Sequence, residues 1–249
     1  MKKLFKILVR KTLKIFNLKL SFYDKSKPRY IKAIDSLGIN VIFDIGANSG
    51  QFALETLYNG FRGKIISFEP TSEVYEKLKK NSQKWSNWQI HERAAVGEEC
   101  GTIMINVAGN SAASSSILAM GKAHQDAAPE ANFVGSESVS LITLDSVFKN
   151  YVSQSSKCLL KIDVQGYEEQ VLRGAVDSIQ GFDAIKLECS LVSLYDGDKT
   201  FEYYFDFFKK NGFELFDIET GFSNPVTGQL LQFDALFIRR KKVLMPNLK

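Results

Sequence analysis

The chain is organised around one stretch, Val41-Ile42-Phe43-Asp44-Ile45-Gly46-Ala47-Asn48-Ser49-Gly50-Gln51. Val41 to Asp44, three apolar residues and an acid, predict a buried strand that ends at its carboxyl edge. Gly46 and Gly50 let the backbone turn tightly and approach a ligand where a Cβ would collide. Gln51 onward predicts a helix whose free N–H groups face whatever occupies the turn. Nineteen residues past Gly50, the apolar run Ile65-Ile66-Ser67-Phe68 ends in Glu69. In an open parallel sheet, an acid at that strand end can accept hydrogen bonds from both ribose hydroxyls of a nucleoside. Strand, glycine loop, helix, strand and acid together make a nucleoside-binding half.

The spacing also says which kind. A dinucleotide fingerprint reads G-x-G-x-x-G, whereas Gly46 and Gly50 stand four apart with Asn48 where the middle Gly would be. That argues against a dehydrogenase. An acid just before the loop repels a pyrophosphate but suits the ammonium end of an amino-acid moiety. Asp-x-Gly-x-x-x-Gly followed by a strand-end Glu resembles motif I of S-adenosylmethionine-dependent methyltransferases.

At 249 residues the chain holds one well-buried α/β domain, or a domain plus an appendage. Its three cysteines (Cys100, Cys158, Cys189) are far apart and form no C-x-x-C pair, and His91 and His124 are its two histidines. The pattern argues against a disulfide framework and a structural zinc, and for a reducing compartment. The net charge of +4 is uneven. Residues 1–29 carry ten Lys/Arg against Asp24 alone, leaving 22 basic and 27 acidic residues for the remainder. A nucleic-acid-binding body would show the reverse balance, so no nucleic acid is expected as a partner.

Residues 1–20 read as a basic amphipathic helix. Leu4, Leu8, Ile15 and Leu18 share one side and Lys3, Lys6, Arg10 and Lys14 the other. It is too short and too charged to span a bilayer and lacks the h-region and cleavage site of a signal peptide. An anionic membrane surface at the cytoplasmic inner face is one expected partner for it, and a second subunit or the domain itself is the other. The chain therefore divides into residues 1–27, the basic helix, and residues 28–249, the α/β domain.

Farther along, Arg29 to Leu37 predicts a lead-in helix, and Ser72 a cap for a helix through Leu78 to Asn81. Trp88–Arg93 and Thr102–Val107 predict short strands. Residues 108–137 are rich in Ala, Ser and Gly and lose hydrophobic periodicity; a connection of that length is expected to be a lid or a linker. Strands are predicted at Val139–Leu144, Cys158–Val164, Ala184–Cys189, Phe213–Ile218 and Phe233–Arg239, with helices at Glu168–Ala175 and Phe201–Lys210. Alternating β and α with late paired strands gives a doubly wound, mostly parallel sheet with an antiparallel C-terminal edge hairpin.

Phe43-Asp-Ile-Gly-Ala-Asn-Ser-Gly-Gln-Phe52, Ser67-Phe-Glu-Pro70, Leu144-Asp145 and Lys161-Ile-Asp-Val-Gln-Gly-Tyr-Glu168 together resemble the FkbM-family methyltransferases, in the right order over roughly residues 38 to 240. The resemblance implies a class I methyltransferase (Rossmann-like) fold, S-adenosyl-L-methionine as cofactor and O-methylation, often of sugar hydroxyls in glycans, glycolipids or glycosylated products. Many relatives carry Glu where Gln165 stands, so that position is given no catalytic weight.

Methyl transfer to a hydroxyl needs the acceptor oxygen held in line with the departing sulfur and a group to take its proton. For the cofactor the expected residues are Asp44 and Gly46 at the methionine end, Asn48 and Gly50 in the loop, and Glu69 on the ribose; the resemblance implies Ala95 or Val96 along the adenine. Asp163, ending the fourth central strand, is the first choice for the base or acceptor-orienting residue, with Glu168 and Glu188 next. Glu168 reads equally as a helix-dipole charge, Glu188 as half of an ion pair, and Lys161 as the structural partner of a carboxylate. His124 would be a base only if the Ala/Ser segment closes over the site. Asp163 and Glu188 supply two acids and no third, so no metal is expected. A non-catalytic nucleoside-binding scaffold would have lost Asp44, Gly46, Glu69 or Asp163, and all four are present.

Overall fold

The computed structural model describes residues 27–240. The helix expected at residues 1–20 falls outside the described residues, which begin at the boundary expected at residue 27. Among those described, no helix is long and apolar enough to cross a membrane.

The first strands and helices follow the glycine-loop pattern. Helix α1 (Arg29–Leu37) leads into β1 (Val41–Ile45), α2 (Gln51–Tyr58), β2 (Lys64–Phe68), α3 (Ser72–Ser82) and β3 (Trp88–Ile90). Thr71, not Ser72, occupies the cap position of α3, and its hydroxyl is turned to Glu69 instead of the helix. The polypeptide then leaves the main sheet for β4 (Ala94–Val96), β5 (Gly101–Ala108), α4 (Lys122–Ala127) and β6 (Phe133–Ile142). It returns through α5 (Leu144–Val147) and β7 (Cys158–Ile162), and ends in α6 (Glu168–Arg173), β8 (Phe182–Ser190), α7 (Phe201–Lys210), β9 (Phe213–Thr220) and β10 (Gln232–Arg239).

Seven strands form one sheet in the order β3-β2-β1-β7-β8-β10-β9. All pairings are parallel except those of β10, which runs antiparallel to both neighbours. The expected C-terminal hairpin is present, with its second strand inserted between β8 and β9 so that β9 becomes the edge. The strand order reverses between β1 and β7, and ligands of doubly wound sheets bind at such a switch point.

Each face of the sheet is covered. Ile42, Ile65, Leu159 and Ala184 pack with Ile31 and Ile34 of α1, Ala53 and Leu57 of α2 and Leu78 of α3. Phe43, Ile45, Leu160 and Leu187 pack on the opposite side with Val171 and Leu172 of α6 and Tyr204 and Phe208 of α7. Fully buried Phe43 anchors that second core, with ring centroids of Phe148 at 5.3 Å and Phe182 at 5.5 Å.

Trp88–Arg93 is not one strand: β3 stops at Ile90, and Ala94–Val96 joins a second sheet in the order β4-β6-β5. Residues 108–137 likewise carry more order than their composition suggests. They hold α4, a short 3-10 helix at Pro129–Ala131 and the first half of β6, and Ser114, Ser115 and Ser116 are all buried. Their hydroxyls are used internally. Ser115 Oγ accepts the Ala108 N–H at 3.0 Å, and Ser116 Oγ accepts that of Leu118 at 3.0 Å. Low hydrophobic periodicity here reflects polar side chains satisfied by their own backbone.

Candidate active site

The turn after β1 is built by close approach. Gly46 has φ +74°, and a Cβ there would lie 1.8 Å from the Asp163 carbonyl oxygen, so the β1 loop and the end of β7 touch backbone to backbone. Gly50, at φ +93°, would place a Cβ 2.3 Å from Trp88. Between them Asn48 takes φ 47°, and its N–H donates to Glu69 Oε2 at 2.9 Å. Glu69 Oε1 accepts both the N–H (2.8 Å) and the hydroxyl (2.5 Å) of Thr71. Burial raises the Glu69 carboxyl against these bonds. Oε1 is thereby filled, and Oε2 retains one lone pair toward the cavity that Glu69 lines.

That cavity, about 760 Å³, lies along the carboxyl ends of the strands. Ala94, Ala95 and Val96 line one end together with Ile105 and Ile117; the Ala/Ser segment contributes Ala112, Ala113 and Ser115. Small apolar side chains there leave a slot for a flat ring. Gly46, Asn48, Glu69 and Asp163 line the middle. The far end is lined by Tyr30, Glu55, Lys186, Glu219, Thr220 and Asp234.

Beneath the cavity runs a row of polar groups that side-chain alternation places on one face. In register across the sheet, Ser67 of β2 stands beside Asp44 of β1, Asp44 beside Lys161 of β7, and Lys161 beside Lys186 of β8. Trp88 Nε1 donates to Ser67 Oγ at 2.9 Å, and Ser67 Oγ donates to Asp44 Oδ2 at 2.9 Å. Lys161 Nζ sits 3.4 Å from Asp44 Oδ1 and 3.3 Å from Asp163 Oδ2, and donates to the Gly46 carbonyl at 3.0 Å. Lys186 pairs with Asp234 of β10. Burial works against the Lys161 ammonium, but the Asp163 and Asp44 charges hold its pKa above the usual range. Burial likewise works against the Asp163 carboxylate. Lys161 and the Gln165 amide outweigh it and hold Asp163 below its usual range, so it is ionised at neutral pH.

The residues expected at the site therefore separate by position. Gly46, Asn48, Glu69, Ala95, Val96 and Asp163 line the cavity. Asp44, fully buried, lies under the loop, where burial raises its carboxyl despite Lys161 and Ser67. Gly50 closes the loop on Trp88. Glu168, also buried, accepts the N–H groups of Val164 (3.1 Å) and Gly166 (3.2 Å), and burial pushes its carboxyl up to about 7. Glu188 lies within β8, where its Oε2 accepts from two amides, Gln165 Nε2 (2.7 Å) and Gln232 Nε2 (3.0 Å). Burial and the charges of Asp163 and Asp234 raise its carboxyl well above the ordinary value. His124 is neither solvated nor on the cavity wall: its ring is buried edge-on to Tyr195 at 5.2 Å. Among the described residues, no group of three or more His, Cys, Asp or Glu side chains is placed to hold a metal.

Sequence patterning assigns no role to Gln165, Lys186, Asp234 or Tyr30. The available signal is a lysine in each of two otherwise apolar strand runs, Cys-Leu-Leu-Lys-Ile and Ala-Ile-Lys-Leu.

The geometry fits a nucleoside that carries a cationic tail. It offers a strand-end acid with a lone pair facing the cavity, a small-residue slot beside it, and Glu69 and Asp163 on the wall against Lys161. The methyltransferase FkbM domain matches residues 44–215, more than half of the chain. The chain belongs to the FkbM methyltransferase family. The doubly wound sheet is thus the class I methyltransferase fold, and the Gly46 loop, Glu69 and Asp163 line its cavity. No functionally curated protein matches the sequence. Among solved structures, the chain is similar to TehB from Haemophilus influenzae (TM-score 0.49, 8% identity, covering 88% of this chain and 64% of that one). It is also similar to Aeropyrum pernix fibrillarin with natively bound S-adenosyl-L-methionine (TM-score 0.45, 12% identity, 81% and 66% covered). A third is magnesium protoporphyrin IX methyltransferase from Synechocystis with bound S-adenosylmethionine (TM-score 0.44, 11% identity, 85% and 75% covered). These likenesses concern the course of the chain.

Proposed function

We propose that this FkbM-family protein is an S-adenosylmethionine-dependent O-methyltransferase that acts on a sugar hydroxyl of a glycan, glycolipid or glycosylated product. The observation that carries the reading is the placement of Glu69 and Asp163 in one cavity on either side of the Gly46 loop. They end strands two positions apart in the sheet, roughly 10 Å by strand spacing. That separation suits a ribose on one acid and a reacting centre at the other.

Glu69 would hold the ribose hydroxyls and Ala95 and Val96 would flank the adenine. The backbone of Gly46 would lie along the methionine end, with Asp44 fixing Lys161 below it. The bound cofactor supplies an electrophilic methyl group on a sulfonium centre. Asp163 orients the acceptor hydroxyl and takes its proton as the oxygen is alkylated. The Asp163 carboxylate is kept ionised by Lys161, so it is ready to accept. A weak base serves here because the oxygen becomes strongly acidic as the new C–O bond forms.

Calorimetric titration of S-adenosylmethionine and S-adenosylhomocysteine, with Glu69→Ala alongside, tests the cofactor reading. Binding that collapses in the variant supports it, and absence of binding by folded protein overturns it. Transfer of labelled methyl to glycan acceptors then tests the acceptor class. The basic segment 1–20 would bring the enzyme to a lipid-linked acceptor at an anionic membrane. Sedimentation with anionic liposomes that is unchanged on deleting residues 1–20 would remove that part.

A further inference from the structure

The cavity is longer than a nucleoside cofactor needs. Glu69 ends β2, and the predicted reacting centre lies at the β1–β7 switch point. The cavity nevertheless continues over β8, β10 and β9 to Lys186, Asp234, Glu219 and Thr220. Those strands lie one to three positions beyond Asp163, roughly 5 to 15 Å farther along the sheet. Neither the cofactor nor the proton acceptor uses this lobe.

Its walls are polar and mixed in charge. On the floor, Lys186 is buried against the Tyr30 ring and pairs with Asp234, whose side chain is 39% exposed. Tyr30 donates its hydroxyl to Glu55 Oε2 at 3.0 Å, which leaves the other Glu55 oxygen without a partner among the described hydrogen bonds. Glu219 and Thr220 stand exposed at the mouth. Beyond Asp163 the lining therefore holds Glu55, Glu219 and Asp234 against Lys186 alone. Such a surface offers many acceptors and a few donors to hydroxyl groups. It also opposes the entry of a negative charge into a partly enclosed cleft.

We infer that the lobe bounded by Tyr30, Glu55, Lys186, Glu219 and Asp234 is the acceptor subsite, and that it takes a neutral or amino-bearing polyol while refusing anionic sugars. The inference rests on the O-methyltransferase reading above. Hydroxyls of the sugar ring meet the Glu55, Glu219 and Asp234 carboxylates and the Lys186 ammonium. The hydroxyl nearest Asp163 is the one presented for methylation. A uronate or sugar phosphate in the same position would stand among three carboxylates with one lysine to offset them.

Saturation-transfer NMR with the full chain tests this, using methyl glucoside, methyl glucosaminide and methyl glucuronide as probes, each with and without S-adenosylhomocysteine. Glu219→Lys, at the exposed mouth where folding is not at stake, is the variant. Signals from the neutral and amino glycosides, mutual competition between them and none from the glucuronide are the expected result. In Glu219→Lys the glucosaminide should weaken by about tenfold and the glucuronide should become bound, since one charge is reversed within a few ångströms of the sugar. Affinity for S-adenosylhomocysteine should be unchanged. No glycoside binding, equal binding of the glucuronide, or indifference to Glu219→Lys would overturn the inference. If S-adenosylhomocysteine binds but no glycoside does, the acceptor subsite fails and the cofactor reading stands. If glycosides bind but S-adenosylhomocysteine does not, the cofactor reading fails, and with it the role of the lobe as a methyl-acceptor subsite.

Discussion

The Tyr195 hydroxyl donates to Gln165 Oε1 at 2.9 Å, and this bond decides which end of the amide faces the site acids. With its oxygen engaged, Gln165 turns its NH₂ group inward and donates to Asp163 Oδ1 and Glu188 Oε2, both at 2.7 Å. The backbone is held as well: Gln165 has φ 58°, and Ser116 Oγ donates to its carbonyl at 2.6 Å. Through these contacts the Ala/Ser segment and the proton acceptor are joined on one residue. Asp163 and Glu188 can lie close together because the two amide hydrogens sit between them.

Gln165→Glu removes those two donors and adds a third carboxylate. The extra negative charge raises the pKa of its neighbours. Asp163 then ionises at higher pH, and the acidic limb of the activity profile moves upward by about one unit. Tyr195→Phe lets the amide turn over, and kcat falls while the affinity for cofactor is kept. Measurement of kcat and KM against pH for both variants checks this. An unmoved acidic limb in Gln165→Glu would detach Asp163 from proton transfer.

Local patterns made much of this protein readable. The Gly46 loop, Glu69 and Asp163 are legible because each marks a strand end, where residue type and backbone conformation are set over a few neighbouring positions. The acceptor lobe is not legible for the opposite reason. Tyr30, Glu55, Lys186, Glu219 and Asp234 come from α1, α2, β8, β9 and β10, and only the sheet order brings them together. Gln165 hides because it sits in a loop whose left-handed backbone no pattern announces. Residues 108–137 mislead because buried serines that bond their own backbone leave no hydrophobic period.

Lys161→Met tests the buried row. The ammonium is what Asp44 and Asp163 share, and Asp44 Oδ1 has no hydrogen-bond partner of its own. Deleting it strands two carboxylates, of which Asp44 is fully buried. A loss of about 3–5 kcal/mol is expected, the usual range for breaking a buried pair by removing one member. Lys161→Met with Asp44→Asn, which removes one of the stranded charges, should recover part of that loss. Urea unfolding of the single and double variants measures it, and additive losses would contradict the pairing.

Gly46→Ala addresses the loop. The new Cβ would meet the Asp163 carbonyl oxygen at 1.8 Å in a backbone that already has positive φ, so the β1 loop and β7 must separate. Since β7 leads into Asp163 and the loop carries Asn48, the proposed ribose and methionine positions are disturbed together. Calorimetry should show S-adenosylhomocysteine affinity reduced by 100-fold or more, roughly the cost of losing one or two charge-assisted hydrogen bonds. Circular dichroism should still show a folded α/β chain. Wild-type affinity would mean that cofactor does not lie on this loop.

Glu168 predicts how stability follows pH. Its carboxyl is pushed up to about 7 by burial, against an ordinary value near 4.5. Below the lower value, both folded and unfolded chains carry the proton and the group has no effect. Between the two values the folded chain keeps a proton that the unfolded chain has lost, so stability falls as pH rises through this window. Above about 7 the loss is complete and levels off, at about 3 kcal/mol for a shift of this size. Glu168→Gln keeps an oxygen to accept the Val164 and Gly166 N–H groups and removes the titration. The variant should therefore match the wild type near pH 4 and become progressively more stable than it toward pH 8. Thermal melts of both proteins across that range check the sign. A wild type that outlasts the variant at pH 8 would show that the Glu168 carboxylate is stabilised as an anion, with the buried loop holding its charge.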